Sequence, residues 1–277
     1  MLVLLMLSGC SVRHMAIDRL GDALAEGGSA FAADDDPELV RAAAPFSLKL
    51  IESLLAERPR HKGLLLAAAR GFTQYAYAFV QQEAEELEDH DLARAARLEE
   101  RARRLYRRAR DYGLRGLALQ EPPTAAGAPL LYWTAAAWGA LIALSKGSPE
   151  ALADLPAMQA LIDRALELDE SFDRGAIHTF LIGYEGVRQG AAGDPAARAR
   201  KHFARALELS AGADAAPFVA LAEAVCVPAQ RRAEFEALLK QALAVDLERN
   251  PQNRLANLVA QHRARWLLAR TDRLFTD

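Results

Sequence analysis

Three segments far apart in the chain end in the same way, and this repetition constrains the fold more than any other feature. Residues 162–169 read IDRALELD, 203–210 read FARALELS and 239–246 read LKQALAVD. Each carries a bulky apolar residue, an alanine three positions later, then Leu, any residue, Leu or Val, and finally Asp or Ser. On a helix that spacing puts the large and the small residue on one face. The small one admits a neighbouring helix and the large one fills the gap beside it. The anchor alanines Ala165, Ala206 and Ala242 lie 41 and 36 residues apart, a little more than the roughly 34 residues of a tetratricopeptide repeat. Looser copies occur at Leu50 to Ala56 and at Ala102 to Ala109.

The rest of the chain obeys the same period. Apolar residues recur at i, i+3, i+4 and i+7, and no run alternates apolar with polar, so the sequence predicts an all-α protein. Asp36-Pro37, Ser148-Pro149, Asp194-Pro195 and Asn250-Pro251 each set a capping side chain before a proline suited to a first helical turn. Glycine and proline cluster at 121–129 and 190–193. About twelve helices follow, stacked as a tetratricopeptide-like helical-repeat solenoid in which each pair buries its face on the next.

The N-terminus points to export. Leu2 to Leu7 is too short to span a bilayer, yet matches the apolar centre of a secretory signal, although no Lys or Arg precedes Leu2 and the start therefore reads as shortened. Leu7-Ser8-Gly9-Cys10 reads as a lipobox. The expectation is a signal peptide over 1–9 and a single repeat domain over 10–277, lipidated at Cys10. Several acyl chains give durable attachment where one does not. The protein would then be periplasmic, anchored to the inner or the outer membrane, with Ser11 in place of Asp favouring the outer. In that oxidising space the second cysteine, Cys226, flanked by Ala224, Val225 and Val227, is expected to be buried.

Composition removes several function classes. The 34 basic and 37 acidic residues leave a net charge of -3, with no chain-wide basic field for nucleic acid. His14, His61, His90, His178, His202 and His262 are scattered, with no pair spaced to share a helix face as metal ligands. No nucleophile elbow, phosphate loop or catalytic-cysteine context is present. The sequence therefore predicts no enzyme, no metal and no cofactor.

Several stretches resemble one family: DDDPELVR (34–41), FSLKLIE (46–52), GFTQYAYAFV (71–80), GAIHTFLIGYE (175–185) and NRLAN (253–257). They look like the T-component lipoproteins of tripartite ATP-independent periplasmic (TRAP) transporters. The resemblance implies a helical-repeat lipoprotein that assembles with itself, for instance as a trimer. It further implies docking of the periplasmic solute-binding protein and passage of a hydrophobic or organic-acid ligand through an apolar cavity or pore. A general repeat scaffold for envelope or outer-membrane assembly is the alternative.

Candidate residues follow from side-chain type and spacing. Phe72, Tyr75, Tyr77 and Phe79 share one helix, with Tyr75 and Phe79 on one face and Tyr77 on another; Trp133 and Trp138 lie on a second helix rich in Ala. These aromatics either fill a core or line a ligand cavity or interface. His178, Tyr184 and Glu185 lie on a third segment and could reach the same cavity. Seven arginines between Arg97 and Arg110 face only Glu99 and Glu100 within that stretch. They form either a solvated face paired with the preceding acidic run or a docking strip for an acidic partner, with Arg101, Arg104 and Arg108 as its contacts. The acidic run itself, Glu83, Glu85, Glu86, Glu88, Asp89 and Asp91, reads as the solvated end of a helix.

Overall fold

The computed structural model describes residues 15, 17–24, 28–119, 124–145 and 147–276; Cys10 and the signal segment 1–9 lie outside them. All regular structure among the described residues is helical. The helices are α1 (Gly28–Ala32), α2 (Pro37–Glu57) and α3 (Lys62–Ala76, prolonged through a π-helical turn Tyr77–Gln81 into Gln82–Leu87). Next come α4 (Leu92–Leu117), α5 (Ala128–Ala143), α6 (Pro149–Ala153), α7 (Leu155–Leu168), α8 (Ala176–Tyr184) and α9 (Pro195–Leu209). The last are α10 (Ala216–Leu221, prolonged by a π-helical turn Ala222–Cys226), α11 (Arg232–Leu243), α12 (Arg254–Ala269) and α13 (Thr271–Leu274).

The caps explain where several helices start. Asp36 accepts hydrogen bonds from the N–H groups of Glu38 and Leu39 at 3.0 Å. Ser148 caps α6 through Ala151 N–H, and Asp194 caps α9 through Ala196 and Ala197. Asn250 behaves differently: its side chain makes no cap, and Pro251–Asn253 forms a 3-10 turn before α12. Asp246 does that job one turn earlier, accepting from Glu248 N–H at 2.9 Å.

The three repeated endings close α7, α9 and α11, and each is followed after a short link by another helix. Their alanines are buried, with at most 1% exposure at Ala165, Ala206 and Ala242, as close helix approach requires. Three apolar clusters result. The first joins α2 to α5 through residues such as Leu64, Phe72 and Tyr106; the second joins α5, α7 and α8 through Met158, Ile162 and Leu181; the third runs from α8 to the C-terminus through Leu221, Phe235 and Leu239. Helix α5 serves two clusters at once, which is why its sequence is apolar all round. With its preceding turn it is long and apolar enough to cross a membrane, but it packs on α3, α4 and α7. Cys226 is buried as its neighbours suggest, and burial pushes its thiol up to about 11.

The last helices return to the first. Helix α12 packs on α10 and α11 and also touches α1 and α2, so packing runs in a closed circuit through α2, α3, α5, α7, α8, α10 and α12. The tightest approach is between α4 and α5. A Cβ on Gly113 would lie 2.1 Å from Thr134 Oγ1, and one on Gly116 would lie 2.7 Å from Leu130 Cδ2. Gly113→Ala is therefore expected to force α4 and α5 apart and cost about 1–3 kcal/mol, read as a lower denaturation midpoint with helicity retained below it.

Candidate functional site

The closed circuit is fastened by charge. Arg263 on α12 donates to Glu223 on the second π turn at 2.7 Å and also pairs with Glu85 on α3. His262 meets Glu86 at 2.6 Å, and Arg270 and Arg273 both reach Asp89. Arg263 and Arg270 also stack on Trp266, at 4.3 and 4.5 Å from its ring centre. The acidic run is thus not merely solvated. It pairs chiefly with the C-terminal helices, while Glu83 binds Arg41 and Arg94 and Asp91 caps α4. Burial works against charge on Arg263, but the Glu223 and Glu85 carboxylates outweigh it and hold the guanidinium above its ordinary pKa. Glu223 is pushed up by burial, with Arg263 opposing and the Glu85 charge adding to the rise.

Tyr77 sits at the start of the first π turn, beside this group. It is 42% exposed, yet loss of solvation, with Glu223 next in weight, pushes its phenol up to about 12. The Gln82 amide lies against the same phenol and is buried. The two π-helical turns of the described chain, Tyr77–Gln81 and Ala222–Cys226, meet here through Tyr77, Glu85, Glu223 and Arg263. Such turns widen a helix at an energetic cost and are frequent at functional sites.

The other aromatics divide between interior and surface. Phe72, Tyr75 and Phe79 are buried, whereas Tyr77 is exposed, so the helix separates them by face. Tyr132, half-buried, packs edge-on to Trp133 and tilts against Phe172. Trp138 donates from Nε1 to Asp154 at 2.9 Å, with Arg110 over its ring. Beside them the backbone is left-handed at Asp173, Arg174 and Gly175 in succession. Arg174 is held there by Asp214 at 2.7 Å, which also accepts from Asn253.

His178 and Glu185 come together through a residue not singled out in the sequence. His202 on α9 places its Nδ1 2.8 Å from Nδ1 of His178, and its Nε2 lies 3.5 Å from Glu185. The outer nitrogen of His178 faces Glu170 at 3.2 Å. Glu185 is buried and also accepts from Arg188 and Arg198. Tyr184 is buried too and donates to Gln159 at 2.8 Å.

The arginine helix lies on the outside. Arg101, Arg104 and Arg108 are all exposed. Arg101 donates to Tyr75 and stacks on it, Arg108 stacks on Phe72 and faces Glu52, and Arg104 faces Glu100. Sequence reading missed Glu223, Arg263 and His202 as members of these groups. The one available signal was charge complementarity: an acidic run at 83–91 and a basic one from His262 to Arg273, far apart in the chain.

Two inward-facing Nδ1 atoms at 2.8 Å fit one proton between them and no more, since two N–H groups cannot share that distance. Burial lowers the pKa of both His178 and His202, outweighing Glu170, which acts to raise that of His178, while the coupling to His178 adds to the fall of His202. The unfolded chain therefore binds protons first as pH falls. Stability present above the ordinary imidazole value of about 6.5 is lost as pH drops through it toward the lowered native values. Thermal midpoints measured from pH 7.5 to 5.5 are expected to fall more steeply for the native chain than for a His178→Gln/His202→Gln variant.

The chain is 29% identical, over 307 aligned residues covering 99% of it and 95% of the relative, to an uncharacterized protein of Treponema pallidum (strain Nichols). The family model described as TRAP transporter T-component matches residues 33–275, from the link before α2 to the last helix, and so takes in both π turns and the whole charged closure. The chain belongs to the TRAP transporter T-component family.

Proposed function

We propose that this component of a TRAP transport system is lipid-anchored through Cys10, faces the periplasm and docks the system's substrate-binding protein on the outer side of α4. The observation that carries the docking is a groove of about 360 Å³ lined by Arg104, Arg107, Arg108, Asp111, Tyr112 and Arg115. Four guanidiniums around an open groove favour carboxylates on a partner, because each planar fork can pair with one in two parallel hydrogen bonds. Stacking of Arg101 and Arg108 on Tyr75 and Phe72 limits their rotation, so less entropy is lost on pairing.

Self-association is part of the same reading. Leu39 and Phe46, 58% and 74% exposed, lie seven residues apart on α2 and so share a face. They offer apolar surface to a second copy. Passage of a hydrophobic or organic-acid solute released by the docked protein belongs to the same reading, and no step of this process requires catalysis.

Reversing Arg104 and Arg108 to Glu is expected to abolish co-capture of the TRAP substrate-binding protein, and capture by the native chain is expected to weaken as salt rises. Undiminished capture by the reversed variant would sink the α4 docking site. Cys10→Ser is expected to move the protein from the membrane fraction to the soluble periplasm, read by fractionation and by loss of labelled fatty acid. Persistence in the membrane fraction would count against the anchor.

A further inference from the structure

We propose that the groove at the turn between α2 and α3 lies against the bilayer surface and binds the phosphates of anionic lipid headgroups. This rests on the reading that Cys10 carries the lipid anchor, and it names the face of the protein that the anchor turns to the membrane. Residues 58–62 read RPRHK, and Arg58, Pro59, Arg60 and His61 line a groove of about 280 Å³. Arg115, from the end of α4, joins the same turn by donating to the Pro59 carbonyl at 3.0 Å. Asp18 pairs with Arg58 through two hydrogen bonds of 2.7 Å, and Asp22 lies 3.4 Å from His61. Arg60, Lys62 and Arg115 are exposed and have no carboxylate partner among the described residues, so the turn keeps a surplus of positive charge. Lys62 opens α3, whose first turn holds no acidic residue. Positive side chains at the positive end of a helix dipole work against the helix, and the fold gains nothing from gathering them there.

The length of chain back to Cys10 says what covers this surface. Asp18 belongs to the helical stretch 17–24 and follows Cys10 by eight residues. Fully extended, the chain from Cys10 reaches at most about 29 Å to Asp18 and about 18 Å to Met15. An acylated Cys10 sits at the bilayer, so headgroups come within reach of the turn that Asp18 holds. Met15 and Leu20 are 50% and 47% exposed, beside exposed Arg19. Apolar and basic side chains together suit the boundary between headgroups and acyl chains, where each Lys or Arg adds to the attraction of an anionic leaflet. The docking residue Arg104 lies about 16 Å back along α4 from Arg115, away from this turn.

The test is co-sedimentation of the unlipidated Cys10→Ser chain with vesicles of phosphatidylcholine alone and of phosphatidylcholine and phosphatidylglycerol in equal parts. The chain is expected to bind the anionic vesicles at least about tenfold more tightly than the neutral ones, and less as salt rises. Arg60→Gln/Lys62→Gln is expected to weaken that binding at least about tenfold, with helicity unchanged because both side chains are exposed. Lys201→Gln/Arg265→Gln takes the same charge from α9 and α12 and is expected to stay within about twofold of the parent. No sedimentation with either vesicle, equal binding to both, or an equal loss in the two double variants would overturn the proposal. Loss of substrate-binding-protein capture in Arg60→Gln/Lys62→Gln with vesicle binding unchanged would also overturn it, and would assign the groove to a protein partner. Fatty-acid labelling of the native chain tests the anchor separately: no label, with vesicle binding retained, sinks the anchor and leaves the groove.

Discussion

Arg263 joins three parts of the chain that are far apart in sequence: the end of α3 through Glu85, the second π turn through Glu223, and its own helix α12, where it lies on Trp266. Ion pairs that are largely withdrawn from water add little net stability, because desolvation offsets most of the Coulomb gain. What they fix is arrangement, since any register that separates one partner leaves another charge buried alone. A stack of helix pairs held only by apolar faces could end anywhere along its length. The charges at 83–91 select the arrangement in which α12 and α13 come back to α3, and that return sets Glu223 and Arg263 beside Tyr77.

Interior and exterior chemistry differ in a way that suits a transport component. The outer face of α4 is arginine-rich, with its guanidiniums stacked on rings of α3. Where α3, the second π turn and α12 meet, two carboxylates, Glu85 and Glu223, share the one guanidinium of Arg263. The same helix α3 links the two, with Phe72, Tyr75 and Phe79 turned to the core and Tyr77 exposed. The π turn at Tyr77–Gln81 shifts the helical register between these faces. A regular helix over the same residues would place Tyr77 differently relative to Gln82 and Glu85.

The histidine network shows a second way in which helices of this chain are fastened. Across the first cluster, α4 and α5 approach through glycines, a contact that a single methyl group would disturb. Between α8 and α9 the fastening is polar: His178 and His202 face each other and each is backed by a glutamate. A dehydrated imidazole pair holds only while it remains short of a second shared proton. The last part of the chain therefore has an acid-sensitive contact that the glycine-packed part lacks.

Much was legible in the sequence. Period fixed the helices, because an amphipathic helix must turn its apolar residues to one side whatever its neighbours are. Asp36, Ser148 and Asp194 announced their helices, since capping is settled by residues two or three positions away. The repeated alanines marked contact points because only a small side chain allows close approach, and the TRAP family could be named from short stretches spread along the chain. What tertiary structure alone decided is which distant residues share a site. The meeting of Glu85 with Glu223 and Arg263, of His178 with His202, and the separation of Tyr77 from its aromatic neighbours all depend on how helix pairs turn back on one another. That path is a sum of many small packing angles, and no local pattern of residues encodes it.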